Sequence, residues 1–329
     1  MLERDPGVDV IVGLDRFEPT IALERTEFVR SDASYSILAR IVKAAQIDTI
    51  LHTFLVVDST QMSGRTLHEI NVIGTMNLLA AASAPESSVR NVVVKSSSLV
   101  YGASPEDPVW FREESRRMHA PRTKVEKSLI EVEGYLRDFA EDNPHVCVSL
   151  LRMSNVLGPD ITTPLSSALE LPLVPCILGF DPRLQFVHED DVLRAVLFAL
   201  EKDLPGIYNV AGDGLIPWSE AAAICGGKRM APISPYFTEL AATPLRRLGI
   251  CDLPPETLDL LRYGRGVDTR KIKQAGFHFK HTSAGAVESF WQAVRLRKTV
   301  GSRPSDYVYQ RDVEQFFRHS PAVVRDSEV

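Results

Sequence analysis

Apolar residues along the chain fall into short runs that alternate with amphipathic stretches. Val92, Val93 and Val94 form a β-branched run with no polar alternation, the mark of a strand buried on both faces of a parallel sheet. Val8–Leu14 (VDVIVGL) predicts a strand that Asp15 ends, Phe28–Asp32 and Asp48–His52 predict two more, and Val146–Leu151 and Gly206–Val210 complete the set. Ile37–Ala45 and Leu67–Ala82 carry apolar residues at helical spacing between them. Strands alternating with helices predict an α/β fold on a parallel sheet. Ser96, Ser97 and Ser98 follow the valine run after one lysine, and the carboxyl ends of strands are where such sheets gather ligands. Serines after a strand also make turns, so position alone leaves both roles open.

Composition narrows the classes. A chain of 329 residues is ample for a large core, as one α/β unit or as two lobes. A net charge of −6 argues against a general nucleic-acid or anionic-membrane surface. The four cysteines, Cys147, Cys176, Cys225 and Cys251, show no C-x-x-C pair and no zinc spacing, so no metal is expected and a reducing cytoplasm fits. The N-terminus MLERDPGVD lacks an apolar h-region, and the stretch from Leu169 to Phe180 is broken by Glu170, Pro172 and Pro175; neither a signal peptide nor a membrane span is expected.

Candidate chemistry begins at Asp15. In dinucleotide-binding folds an acid ending the second strand accepts from both ribose hydroxyls, although an Asp after a strand is also a common turn residue. Arg16 beside it leaves NADP open, while Asp15 favours NAD. No first strand with a glycine-rich loop precedes Val8, and Leu2–Asp5 read as the last turn of a helix. Gly212-Asp213-Gly214 and Gly264-Arg265-Gly266 lack the third glycine and the strand-to-helix setting. Two explanations are open, a start placed too far downstream and a true truncation; the first is favoured because losing a central strand would expose the middle of a sheet.

The stretch Asn91–Gly102 (NVVVKSSSLVYG) resembles the Ser-Ser-x-x-Val-Tyr-Gly segment of the extended short-chain dehydrogenase/reductases, the NAD(P)-dependent nucleotide-sugar epimerases and dehydratases. Further matches are Asn71-Val72-x-Gly74-Thr75-x-Asn77, Leu151-Arg152-x-x-Asn155-Val156-x-Gly158-Pro159, Phe186-Val187-His188-x-x-Asp191-Val192 and Asp268-x-x-Lys271, so the resemblance runs from Val8 to about Phe290. It implies a Rossmann-type doubly wound parallel sheet with a smaller C-terminal substrate lobe. Residues 1–160 would form the NAD(P)-binding part, 161–300 mainly the substrate lobe with returning Rossmann elements, and 301–329 a peripheral tail, partly mobile.

The resemblance also implies site residues. Ser97, four before Tyr101, takes the place of the catalytic hydroxyl. Asp15, Arg16, Asp32, Thr53, Phe54, Leu55, Asn71 and Lys127 would meet NAD, with NADP possible, and Asn155 the sugar nucleotide. Phe54 and Leu55 are larger than the small residues of relatives. Asn71 would hold a backbone kink or a water near the site. His188 and Asp191 read as fixing a strand-to-helix junction, and Met153 as packing.

The main departure concerns Tyr-x-x-x-Lys. The sequence HAPRTKVEKSLIEVEGYL offers Lys124 and Lys127, and four residues earlier stand Ala120 and Thr123; no tyrosine occurs between Tyr101 and Tyr135. The Lys127 register is preferred because it puts Glu131 where relatives carry an acid. An alcohol such as Thr123 has a pKa far above the range of efficient proton transfer. Histidine is the side-chain type suited to that range, which makes His119 a candidate, though a lone loop histidine is ordinarily solvated. Two functions stay open. One is a nucleotide-sugar oxidoreductase of the UDP-glucose 4-epimerase kind, with Ser97 on the reacting hydroxyl and Lys127 on the ribose. The other is a catalytically silent dinucleotide- or sugar-nucleotide-binding protein. No nucleic-acid or membrane partner is expected, and a homodimer is possible.

Overall fold

A computed structural model describes residues 1–19, 21–60, 62–236 and 253–300. The expected tail and residues 237–252 lie outside the described residues. In chain order the first half contains β1 (Ile11–Asp15), β2 (Thr26–Arg30), α1 (Tyr35–Ala44), β3 (Thr49–His52), α2 (Gly64–His68), α3 (Gly74–Ala82), β4 (Asn91–Ser97), β5 (Trp110–Phe111), α4 (Lys124–Asp142) and β6 (Cys147–Met153). There follow β7 (Asn155–Leu157), α5 (Pro164–Glu170), β8 (Leu173–Ile177), β9 (Arg183–Leu184), β10 (Phe186–His188), α6 (Glu189–Lys202), β11 (Gly206–Val210), β12 (Ile216–Pro217), α7 (Trp218–Ile224) and β13 (Arg229–Ile233). The last elements are α8 (Pro255–Tyr263), β14 (Gly266–Val267), α9 (Arg270–Gln274) and α10 (Ser283–Val300).

Four strands form a parallel sheet in the order β11-β6-β4-β3. The valine run explains its centre. Val92 and Val94 belong to the core under α3 and α4, Val93 to the core under α6, and none is more than 1% exposed. Period-two alternation thus covers the strand from both sides, as a parallel sheet requires. Each such side chain contributes roughly 1.5–3 kcal/mol of burial. The helices show the complementary spacing: α4 buries Val125, Leu129, Val132, Leu136 and Phe139, and α6 buries Val192, Ala195 and Ala199.

β1 and β2 pair in parallel with each other, from Ile11↔Thr26 to Asp15↔Arg30, and join no other strand among the described residues. No described strand stands between β1 and β3, so β3 is an edge of the larger sheet. The connection is made instead by α1 packing on α3, with Leu38 and Val42 buried.

A second core gathers Leu157, Leu169, Val174, Phe186, Trp218, Leu261 and Phe290, drawn from β7 to α10. The segment between Ala103 and Pro121 is tied down: Phe111 is buried in the first core and β5 pairs in parallel with β14. Among the described residues no helix is long and apolar enough to cross a membrane.

Candidate active site

The three serines after the valine run take different roles. Ser96 is buried and donates from Oγ to Glu133 Oε1 of α4 at 3.1 Å. Ser97, extended at φ −134° and ψ 146°, is half-buried, and its Oγ accepts from Leu99 N at 3.2 Å, capping the 3-10 turn Ser98–Tyr101. That turn packs against α4. Ser97 therefore combines the turn role with a hydroxyl at the carboxyl end of a central strand.

A buried ion pair fixes the floor beneath it. Arg152 donates from Nε to Glu133 Oε1 at 3.1 Å and from Nη2 to Oε2 at 2.5 Å, and its Nη1 reaches the Tyr101 hydroxyl at 2.7 Å. Tyr101 in turn donates to Asn209 Oδ1 at 2.8 Å and stacks on Phe111 at 4.6 Å. Burial raises the Tyr101 phenol above its ordinary range, against the lowering pull of Arg152. This phenol is committed to the core and does not supply the missing catalytic tyrosine.

The start of α4 shows what stands in the expected tyrosine place. Thr123 is the N-cap: its Oγ1 accepts from Glu126 N at 3.2 Å, and Glu126 Oε2 accepts from Thr123 N at 3.4 Å and Arg122 N at 2.8 Å. Both partners of this capping box are thereby occupied with backbone donors. Lys127 lies on the exposed face of α4, while Lys124 lies along Gly64, where an added Cβ would stand 2.0 Å from Lys124 Cδ. No hydrogen bond or ion pair joins Ser97 to either lysine among the described residues.

Asn71 holds a kink. It sits in a π-helical turn, Glu69–Ile73, where its Oδ1 accepts from Val56 N at 2.8 Å and its Nδ2 donates to Val56 O at 2.9 Å and Ser128 Oγ at 3.1 Å. One side chain thus clamps the segment after β3 to α4, in the kind of helix irregularity common at functional sites. Thr53 is exposed at the end of β3, Phe54 stacks on His52 with centroids 4.1 Å apart, and Leu55 is buried in the core. His52 is fully buried with Nε2 2.7 Å from Thr75 Oγ1, and burial lowers its pKa to about 4.

Asp15 and Arg16 are exposed at the end of β1, with Asp15 Oδ1 accepting from Phe17 N at 3.1 Å, and Asp32 lies exposed just past β2, accepting from Ser34 N at 3.3 Å. Asn155 donates to Gln185 O at 2.8 Å, linking β7 to the strand region opposite. Met153 is buried. His188 Nδ1 accepts from Asp190 N at 3.1 Å, and buried Asp191 accepts from the amides of Lys280 and His281 at 2.9 Å each, so this block builds a strand-to-helix junction. His119 is not solvated: it is partly buried, with Nδ1 3.7 Å from Asp107 Oδ1 and Nε2 against Gly102.

A cleft of about 520 Å³ opens between the start of α4, the segment around Ser59–Leu67 and α8. Arg122, Lys124, Asp259 and Arg262 give it mixed charge, with Arg122 3.4 Å from Asp259. Buried Glu256 holds the lining residue Ser59 by accepting from its N at 3.0 Å and its Oγ at 3.1 Å. Desolvation raises the pKa of both Glu256 and Asp259. Neither acid falls within any of the sequence matches, so nothing in the sequence pointed to them.

Comparison with known proteins adds relatives to this geometry. Residues 2–211 match a family model described as the NAD dependent epimerase/dehydratase family. An uncharacterized protein of Mycobacterium tuberculosis is 34% identical over 298 residues, covering 88% of this chain and 78% of its own. Among solved structures, a UDP-glucuronic acid 4-epimerase from Bacillus cereus in complex with NAD superposes with a TM-score of 0.68 at 16% identity, over 90% of this chain and 92% of that one. A dTDP-glucose 4,6-dehydratase from Streptomyces venezuelae with NAD bound gives a TM-score of 0.66 at 22% identity, over 89% and 90%.

Proposed function

The chain belongs to the NAD-dependent epimerase/dehydratase family, and on that premise we propose that it binds a nicotinamide dinucleotide and acts on a nucleotide sugar as an epimerase- or dehydratase-like oxidoreductase. The observation that carries this reading is Ser97. It is a half-buried hydroxyl ending the central strand of a parallel sheet, on a turn that packs against the helix whose first turn walls the 520 Å³ cleft.

The residues present fit such a cofactor at its two ends. Asp15 stands exposed at the end of β1 and Asp32 past β2 for the adenosine part, while Thr53 follows β3 and Ser97 ends β4 for the nicotinamide part. For the pyrophosphate, no glycine-rich turn from strand to helix occurs among the described residues, so that portion finds no backbone cradle there. When bound, the nicotinamide supplies a reversible hydride acceptor. The chain's own part is to hold the reacting hydroxyl through Ser97, to contact the ribose from α4 through Lys127, and to hold the sugar nucleotide near Asn155. The Asn71 clamp keeps α4 and the β3 loop in register for this.

A second reading, a binding protein without turnover, is favoured by one feature: Thr123 spends its hydroxyl on the helix cap where relatives place a phenol. Titration of the purified protein with NAD, NADP and UDP- or dTDP-sugars, followed by a turnover assay that resolves epimerised or dehydrated sugar nucleotide from the substrate by chromatography, separates the two. Binding with turnover supports the oxidoreductase, binding alone supports the second reading, and binding of none refutes both.

A further inference from the structure

One basic side chain at the end of β4 belongs to none of the networks described above. Lys95 lies two residues before Ser97, so strand alternation places both side chains on the sheet face that also carries Val93. Ser96, between them, turns into the opposite layer to reach Glu133. On one side Lys95 is paired in register with Leu151 of β6; on the other, β3 stops at His52 opposite Val94, and exposed Thr53 follows. Lys95 is half-buried, and its amine makes no hydrogen bond or ion pair among the described residues.

The charged groups on the surrounding elements are engaged elsewhere. Arg152 of β6 is paired with Glu133 on the other face. Asp191 of α6 is taken by Arg194 and by the amides of Lys280 and His281. His52 of β3 is neutral through burial and bound to Thr75. Burial lowers the Lys95 ammonium below its ordinary pKa, with no carboxylate opposing the shift.

We propose that Lys95 is the group that takes the proton from, and returns it to, a substrate hydroxyl held by Ser97. The proposal rests on the oxidoreductase reading above. In one direction the substrate O–H bond breaks and its proton joins the neutral amine. The carbinol C–H bond would break with its hydrogen passing as hydride to a bound oxidised nicotinamide, leaving a carbonyl. In the other, hydride returns to the carbonyl carbon and the ammonium proton to its oxygen, so atoms and charge balance. A lysine with a buried stem and no counter-ion is suited to this work, because its amine shifts toward the neutral form that a general base requires.

The test begins with the unmodified protein and needs no turnover. Lysines are labelled with an amine-reactive reagent across a pH series and quantified by peptide mass spectrometry, with N-acetyl-lysine as reference. Lys95 should label with a lower pH midpoint than the reference, and NAD or UDP-glucose should slow its labelling. An ordinary midpoint, no labelling of the unliganded protein, or a midpoint and rate that both ligands leave unchanged each overturns the proposal. In turnover, K95M should retain ligand binding and lose about 10²- to 10⁴-fold in kcat. Wild-type turnover surviving in K95M would also overturn it. Wild-type protein that turns over no nucleotide sugar, yet shows the lowered midpoint and protection by NAD, would sink the substrate assignment and leave Lys95 standing.

Discussion

Replacing Glu133 with glutamine tests the buried pair under the site. Glu133 and Arg152 are each 6% exposed, and two of the four hydrogen bonds of the guanidinium end on that carboxylate. E133Q keeps the shape and one acceptor, but it leaves the guanidinium charge buried and turns an amide N–H₂ toward an arginine donor. Breaking a buried pair by removing one partner costs about 3–5 kcal/mol. The Tyr101 hydroxyl at 2.7 Å and the Glu113 carbonyl at 3.1 Å remain as acceptors, which places the expected loss near the low end, about 3 kcal/mol. With a urea slope of about 3 kcal/mol per molar, the unfolding midpoint should fall by about 1 M, followed by far-UV circular dichroism. The double variant E133L/R152M, with no charge to strand, should recover most of the loss. A midpoint shift below about 0.3 M in E133Q, under about 1 kcal/mol, would refute the claim that this pair is desolvated in the fold.

Three further outcomes are expected. His52 has a folded pKa of about 4 against 6.5, so between those values the unfolded chain binds the extra proton and stability rises with pH; the wild type should lose about 3 kcal/mol on going from pH 7 to below 4 through this group, and H52Q should lack that part of the slope in urea titrations at stepped pH. Gly264, at φ 71°, ends α8 where an added Cβ would stand 2.5 Å from the Arg183 carbonyl oxygen, so G264A should cost roughly 3 kcal/mol in the same assay, and an unchanged midpoint would contradict the geometry. S97A should lose only about 1 kcal/mol of stability, from the lost cap on the Ser98–Tyr101 turn, while turnover falls about 10²-fold; S96A, whose hydroxyl meets Glu133, should leave turnover within a few fold.

The parallel sheet was legible because burial on both faces leaves an unbroken apolar run, and Val92–Val94 carry it. The three serines could be read as one hydroxyl cluster, but alternation assigns them different neighbours, and only Ser97 stays available at the strand end. His119 illustrates the opposite limit. A loop histidine looks solvated in sequence, and its cover, Asp107 and Gly102, is brought there only by tertiary packing. Glu256 and Asp259 were invisible for the same reason, since the partners that give them a role, Ser59 and Arg122, lie far away along the chain. Lys95 did leave a signal: a charged residue at the end of a fully buried strand is costly unless something at that end uses it.

The separation of β1–β2 from the larger sheet has a mechanical consequence. Asp15 and Asp32 ride on a ribbon that joins no other strand among the described residues, whereas Ser97 and Lys95 ride on a hydrogen-bonded slab. A molecule long enough to grip both would act as a brace across the seam. Its grip would tighten the ribbon, and whatever loosens the ribbon would weaken its hold.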